Sequence, residues 1–385
     1  MDMDNSGLRP ERLQHLKAVI EDDIRRGRYY GAVVTIARNG EVAMQQAIGA
    51  ADGEGTRPLT TDSVFSIFSV TKAITNVLVF RAIELGQIAL TTKISAVIPE
   101  FSGGLREHIT VFDLLTHSSG LPGIFTPRPG MYIDKLDEII AAICETVHAT
   151  ELPGARVDYS PLAHHALLGE AVRRLDPGGR SYRQLVQDEI FTPLKMNDSS
   201  IGRRPDLKDR HVIPDFRGNF PITHPGSSNL GPNGAFEEEH AEMPWVGAVC
   251  SNPDLFRFAE MLRRGGELDG ARILSPAIIE LATRNWTGDK PNEMYRTLAH
   301  MRGWRPFPAY MGLGFALRGE GVFHHIYGTL ATPGTFGNYG AGSAMFWVDP
   351  VREMTFTFLS AGVMNTGDNF ERFQRLSDIA SSAAV

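Results

Sequence analysis

Ser69 and Lys72 stand three residues apart in Phe65-Ser66-Ile67-Phe68-Ser69-Val70-Thr71-Lys72. On a helix that advances about 1.5 Å and 100° per residue, they occupy adjoining turns of one face, so the amine reaches the hydroxyl. A free serine is a poor nucleophile at neutral pH, and a lysine desolvated enough to lose its proton supplies the missing base. If Ser69 opens the helix, its own N–H points outward to a developing oxyanion. Ser-x-x-Lys occurs by chance in many chains, so its surroundings must decide. It occurs once here, flanked by Ser63-Val64-Phe65-Ser66-Ile67-Phe68 and by Ala73-Ile74-Thr75-Asn76-Val77-Leu78-Val79-Phe80. Those flanks are apolar enough for burial on most sides, which is where a lysine loses its proton.

Two further stretches carry chemistry. Pro153-Gly154-Ala155-Arg156-Val157-Asp158-Tyr159-Ser160-Pro161 turns into a helix. A tyrosine at such a corner projects into a cleft, where a neighbouring Lys72 ammonium would lower its pKa and make the Tyr159 phenolate the general base. Taken alone, a tyrosine there is more often half-buried packing. Thr335-Phe336-Gly337-Asn338-Tyr339-Gly340-Ala341-Gly342-Ser343 precedes an apolar run. Its glycines let the backbone approach a ligand closely and present a second oxyanion N–H; alone it reads as a turn between strands.

The elements that must hold these groups read as follows. Arg9 to Gly27 is an amphipathic helix, with Leu13, Leu16, Ile20 and Ile24 at spacings of three and four. Gly31 to Arg38 and Glu41 to Ile48 form a hairpin about Asn39-Gly40. Helices are expected over Asn76–Gly86, Val111–Thr116, Asp134–His148 and Leu162–Leu175, then Asn252 to Arg264, one after Ser275-Pro276, and Asn369 to Ala384. Tyr310–Arg318, Ser343–Val348 and Met354–Leu359 are expected strands, with Asp349-Pro350 turning between the last two. Sheet signals at both ends imply an α/β domain of residues 1–72 and 248–385, with a helical insertion, 73–247, placing Ser69 at the junction. Gly202 to Pro244 loses periodicity and is expected to cover the site.

At 385 residues, 42% hydrophobic and 22% charged, the chain reads as a soluble globular protein of two subdomains. A net charge of −7 offers no basic footprint for nucleic acid. No apolar run reaches the roughly 20 residues of a spanning helix, and the acidic, polar Met1-Asp2-Met3-Asp4-Asn5-Ser6 reads as cytoplasmic. Cys144 and Cys250 lack metal-site spacing and read as core thiols. His117, His164, His165, His324 and His325 have no Gly-x-Ser-x-Gly elbow to serve and no metal-ligand pattern, so they read as structural; Glu237-Glu238-Glu239 reads as a solvated loop. No cofactor or metal is expected.

In this order, the three stretches resemble the serine β-lactamase and penicillin-binding superfamily, nearest to class C β-lactamases and their esterase relatives of the family VIII carboxylesterase type. The likeness extends to Ile83–Leu90, Ile98–Phe101, Leu114-Leu115-Thr116-His117-Ser118-Ser119-Gly120-Leu121-Pro122, Leu255–Leu262 and Ile273–Pro276. It implies a β-lactamase-like fold, an antiparallel sheet flanked by helices. It further implies an acyl-enzyme: Ser69 attacks, Lys72 and Tyr159 shuttle the proton, and the N–H groups of Ser69 and Ala341 hold the oxyanion. Two departures bear on substrate. The relatives' Tyr-x-Asn is Tyr159-Ser160-Pro161 here, losing an amide, and their Lys-Thr-Gly is Asn338-Tyr339-Gly340, losing a cation. A neutral Asn338 cannot give a carboxylate a charge-assisted contact, which favours small uncharged esters. Trp245, Trp304, Phe307, Phe125 and Tyr132 are candidate pocket walls. The expected activity is a serine carboxylesterase. The rivals are an acyltransferase of the same fold, a β-lactamase or D-amino peptidase, and a non-enzymatic acyl-binding sensor.

Overall fold

The computed structural model describes residues 7–216, 225–231 and 234–384. Helix α1 (Pro10–Arg25) precedes the hairpin β1 (Gly31–Arg38) and β2 (Glu41–Gly49), and β3 (Val64–Ser66) leads through a 3-10 turn at Phe68–Val70 into α2 (Thr71–Glu84). Helices α3 (Ile94–Val97), α4 (Val111–Leu115), α5 (Leu136–Thr146), α6 (Ala163–Leu175) and α7 (Tyr182–Val186) follow, then short strands β4 (Ser200–Ile201) and β5 (His211–Val212). The chain returns through β6 (Ala248–Ser251), α8 (Asn252–Arg263), β7 (Glu267–Leu268), β8 (Ala271–Arg272), α9 (Pro276–Ala282) and α10 (Glu293–Met301). It ends with β9 (Ala316–Leu317), β10 (Phe336–Gly340), β11 (Ala344–Asp349), β12 (Met354–Ala361) and α11 (Thr366–Ser381).

The main sheet is antiparallel in the order β2-β1-β12-β11-β10-β9. Its inner strands alternate between two cores, as period-two side chains must. Val33, Phe346, Val348 and Leu359 join the core shared with α2, α6 and α8. Ala32, Val34, Met345, Trp347, Phe356 and Phe358 join the other, under α1 and α11. Buried Asn252 seats α8 on the sheet: its Oδ1 accepts from Thr35 Oγ1 (2.6 Å) and Thr357 Oγ1 (3.0 Å), and its Nδ2 donates to Val33 O (3.0 Å). The Asn39-Gly40 turn has φ of 54° and 83°, the two positive values that a type I′ hairpin needs. No helix among the described residues is long and apolar enough to cross a membrane.

Four features differ from expectation. Only Ala316–Leu317 of the expected Tyr310–Arg318 strand is extended in the sheet. Gly312 N–H donates to Phe315 O, Met311 bridges Ala316, and Gly314 takes φ 74°, so the segment doubles back on itself. The glycine-rich Phe336–Gly340 is an inner strand rather than a turn. Finally β3, β4, β5 and β6 form a second small sheet of two- to four-residue strands, ordered β4-β6-β3-β5, too short for a periodicity to show. The last helix starts at Thr366 rather than Asn369, because Asn365 caps it by accepting from Asp368 N–H.

Candidate active site

The small sheet delivers the serine. Strand β3 lies between β6 and β5, and just past its end Ile67 N–H donates to Ala248 O at 3.0 Å. Phe68 then takes φ 47°, a left-handed value unusual for a bulky residue, with its ring held edge-on by Phe216 (5.8 Å) and Phe236 (5.0 Å). That reversal brings Ser69 out of the core, partly exposed, at the entrance to α2. Every residue of α2 from Thr71 to Phe80 is buried. The helix's polar side chains pin the loops around it: Thr71 Oγ1 accepts from Ala248 N–H, Thr75 Oγ1 donates to Pro244 O, and Asn76 Nδ2 donates to Gly314 O.

Lys72 is 1% exposed, with Nζ 3.1 Å from Ser69 Oγ and 3.0 Å from each of the carbonyl oxygens of Pro161 and Trp245. Burial pushes its pKa well below the usual lysine value of 10.5. A neutral amine has two hydrogens and one lone pair. In that form the two carbonyls can take the hydrogens, which leaves the lone pair for the serine hydroxyl.

Tyr159 sits in the loop before α6. Its phenol hydrogen-bonds Ser69, and its ring stacks on His117 at 4.7 Å, with Lys72 Nζ 5.1 Å from the ring centre. His117 fixes the loop twice, its carbonyl accepting from Asp158 N–H (2.8 Å) and its Nδ1 from Ser160 N–H (3.0 Å). Desolvation pushes the phenol above the usual tyrosine value of 10.0. Burial thus pushes both groups toward their neutral forms, against the expected phenolate beside an ammonium.

Strand β10 closes the other side. A Cβ on Gly340 would lie 2.4 Å from Ile67 O and 3.0 Å from Ser69 N, so only glycine allows this approach. Ala341 follows, lining the same cavity as Ser69. Among the described residues, neither the Ser69 nor the Ala341 N–H donates to a backbone carbonyl.

Two cavities meet at this point. The first, of about 130 Å³, is lined by Ser69 and Ala341 with apolar walls that include Phe68, Phe216, Phe236 and Trp245. The second, of about 50 Å³, is lined by Lys72, His117, Asn292 and Asn338. Tyr159, Tyr295, Tyr339 and Phe370 line both. Among the expected walls, Trp245 and the half-exposed Phe125 line the first cavity and Phe307 the second. Trp304 lines neither: it stacks on His324 at 4.1 Å within the core under α11. Tyr132 also lines neither and is 41% exposed. Part of Gly202–Pro244 lies outside the described residues; the described part supplies Phe216, Pro225 and Phe236 to the first cavity. Tyr295 was missed, as nothing in α10 distinguishes it from a packing residue, yet its hydroxyl accepts from Tyr339 OH at 2.8 Å between the cavities. No group of three or more metal-ligating side chains occurs among the described residues.

The family described as Beta-lactamase matches residues 16–381. "Esterase EstB" of Burkholderia gladioli is 28% identical over 279 residues, covering 64% of this chain and 69% of that protein. "Esterase/beta-lactamase LipL" of Mycobacterium tuberculosis is 25% identical over 362 residues, covering 86% of this chain and 77% of that protein. Among solved structures, a penicillin-binding protein homologue from Caulobacter crescentus superposes with a TM-score of 0.80 at 26% identity, covering 99% of this chain and 100% of the other. A family VIII carboxylesterase superposes at 0.78 and 21% identity, covering 98% and 99%, a likeness of fold.

Proposed function

The chain belongs to the beta-lactamase family, and from that premise we propose that it is a serine carboxylesterase that cleaves small, mainly uncharged esters through an acyl-enzyme on Ser69. The observation that carries this reading is the buried Lys72 amine, 3.1 Å from Ser69 Oγ with its other two contacts spent on carbonyls. Lys72 takes the serine proton as Oγ attacks the ester carbonyl, and the Ser69 and Ala341 N–H groups stabilise the oxyanion. The neutral Tyr159 phenol donates to the departing alkoxide and is reprotonated from Lys72. Water then attacks the acyl-enzyme, and the proton path runs in reverse.

The substrate class follows from the walls. None of the described residues lining the apolar cavity is charged, and Asn338 gives the second no fixed cation. Among the described residues a carboxylate would be desolvated there without a cationic partner. This argues against the β-lactam and D-alanyl peptide reading, although one relative's name couples esterase with β-lactamase. A cytoplasmic location belongs to the same proposal, supported by two free thiols, Cys144 and Cys250.

The test is hydrolysis of p-nitrophenyl acetate and butyrate by wild type and Ser69→Ala, with intact mass recorded during turnover. Turnover lost in the variant, with a transient adduct on the wild-type peptide that holds Ser69, is the expected result. Full activity in Ser69→Ala, or faster turnover of a chromogenic cephalosporin than of either ester, overturns the reading.

A further inference from the structure

The second cavity has polar equipment that acylation does not use. Asn338 is 8% exposed and lines it, and its Oδ1 is fully buried without a hydrogen-bond partner. An unmet buried polar atom is destabilising unless a small ligand or water meets it. His117 lines the same cavity. Its Nδ1 accepts from Ser160 N–H, so the neutral ring carries its proton on Nε2. The Asn338 amide and the His117 ring thus stand in the lining of one small space together with Lys72 and Tyr159. At about 50 Å³ it has room for a few water molecules, each needing about 10–15 Å³ and two to four polar partners, and little room for the organic part of an ester.

We propose that this cavity stores the water that deacylates the enzyme, with Asn338 and His117 as its positioning residues; the idea rests on the acyl-enzyme reading of Ser69. The acyl group occupies the apolar cavity, and the stored water reaches the carbonyl from the far side of Tyr159. Its oxygen bonds to the acyl carbon, the carbon–Oγ bond breaks, one water proton passes through Lys72 to Ser69 Oγ, and the acid product releases the other to solvent. Water kept in reserve behind the base sets hydrolysis ahead of transfer to alcohols, which must enter through the apolar side.

The experiment is stopped-flow hydrolysis of p-nitrophenyl butyrate by wild type, Asn338→Leu, Asn338→Val and Asn338→Ser, with intact mass and melting temperature for each. In the two apolar variants the burst rate stays within about twofold while the steady-state rate falls about tenfold or more, and a butyryl adduct accumulates on Ser69. Asn338→Val serves if the leucine variant fails to fold. Asn338→Ser keeps a hydroxyl and recovers most of the steady-state rate. A steady-state rate unchanged in both apolar variants, or burst and steady-state rates falling together, overturns the proposal. Ser69→Ala separates the two ideas: if it abolishes the burst while Asn338 is inert, only the water store fails, and if it retains turnover, both fail.

Discussion

Burial drives Lys72 and Tyr159 toward neutrality, and the pH dependence follows. In the proposed mechanism Lys72 must be unprotonated to accept the serine proton, so activity should fall as pH drops through its depressed pKa. Tyr159 must be protonated to serve the leaving group, and its phenol titrates above the ordinary tyrosine value of 10.0. The expected kcat/KM profile therefore rises from acid to a plateau that lasts into alkaline pH. A profile that rises only near the ordinary phenol value would restore the phenolate base. Lys72→Met keeps the length and loses the lone pair, and should cost about 10²–10⁴ in kcat/KM by steady-state kinetics. Stability is linked to the same group. Between the folded pKa and 10.5 the unfolded chain binds the extra proton, so the contribution of Lys72 to stability rises with pH across that window.

At the scale of elements, β10 and the turn before α2 set the site by touching. Gly340→Ala inserts a Cβ 2.4 Å from Ile67 O, and β10 must withdraw from Ser69. The expected outcome is a loss of about 10²-fold or more in kcat with an overpacking cost of about 1–3 kcal/mol, read by kinetics beside denaturant melts. A variant with wild-type kcat would show that this contact does not hold the oxyanion site. The same contact explains what the sequence made legible. Ser69, Lys72 and Tyr159 could be found because their chemistry is local to short stretches and because those stretches resemble a known family. The Gly337-Gly340 spacing gave no sign of a strand, since β10 is held by its neighbours' backbones rather than by its own side chains. Tyr295 and Phe370 were invisible for a related reason: they reach the cavities from α10 and α11 through packing that joins distant segments.

For the molecule as a whole, α11 braces the loop that carries Ala341. The Arg372 guanidinium is fully buried, donating to Gly342 O (2.9 Å), Asn369 Oδ1 (2.6 Å) and Ser360 Oγ (3.1 Å), with its charge over the rings of Tyr29, Phe358 and Phe373. Arg372→Lys loses the planar fork and should lower both melting temperature and kcat, since Gly342 follows Ala341. Unchanged values for both would sink that link. Acid should act on the whole fold. His164, His211 and His325 are buried neutral with pKa values pushed down to about 3 from 6.5. Their contribution is complete above 6.5 and is lost as pH falls toward 3, so melting temperature should fall steadily below about pH 6. A flat series from pH 7 to 4 would refute this.

The β1–β12 ladder, register Gly31↔Ala361 to Arg38↔Met354, has a consequence for synthesis. Strand β1 leaves the ribosome early, but its partner emerges roughly 300 residues later, some 15–60 s at about 5–20 residues per second. Throughout that interval the nascent chain carries an apolar hairpin without the neighbour that covers its open edge, while its nucleophile has emerged before the Ala341 loop exists. The enzyme is therefore inactive and sticky while it is being made, and becomes a hydrolase only after the Ala341 loop and β12 have joined the earlier strands.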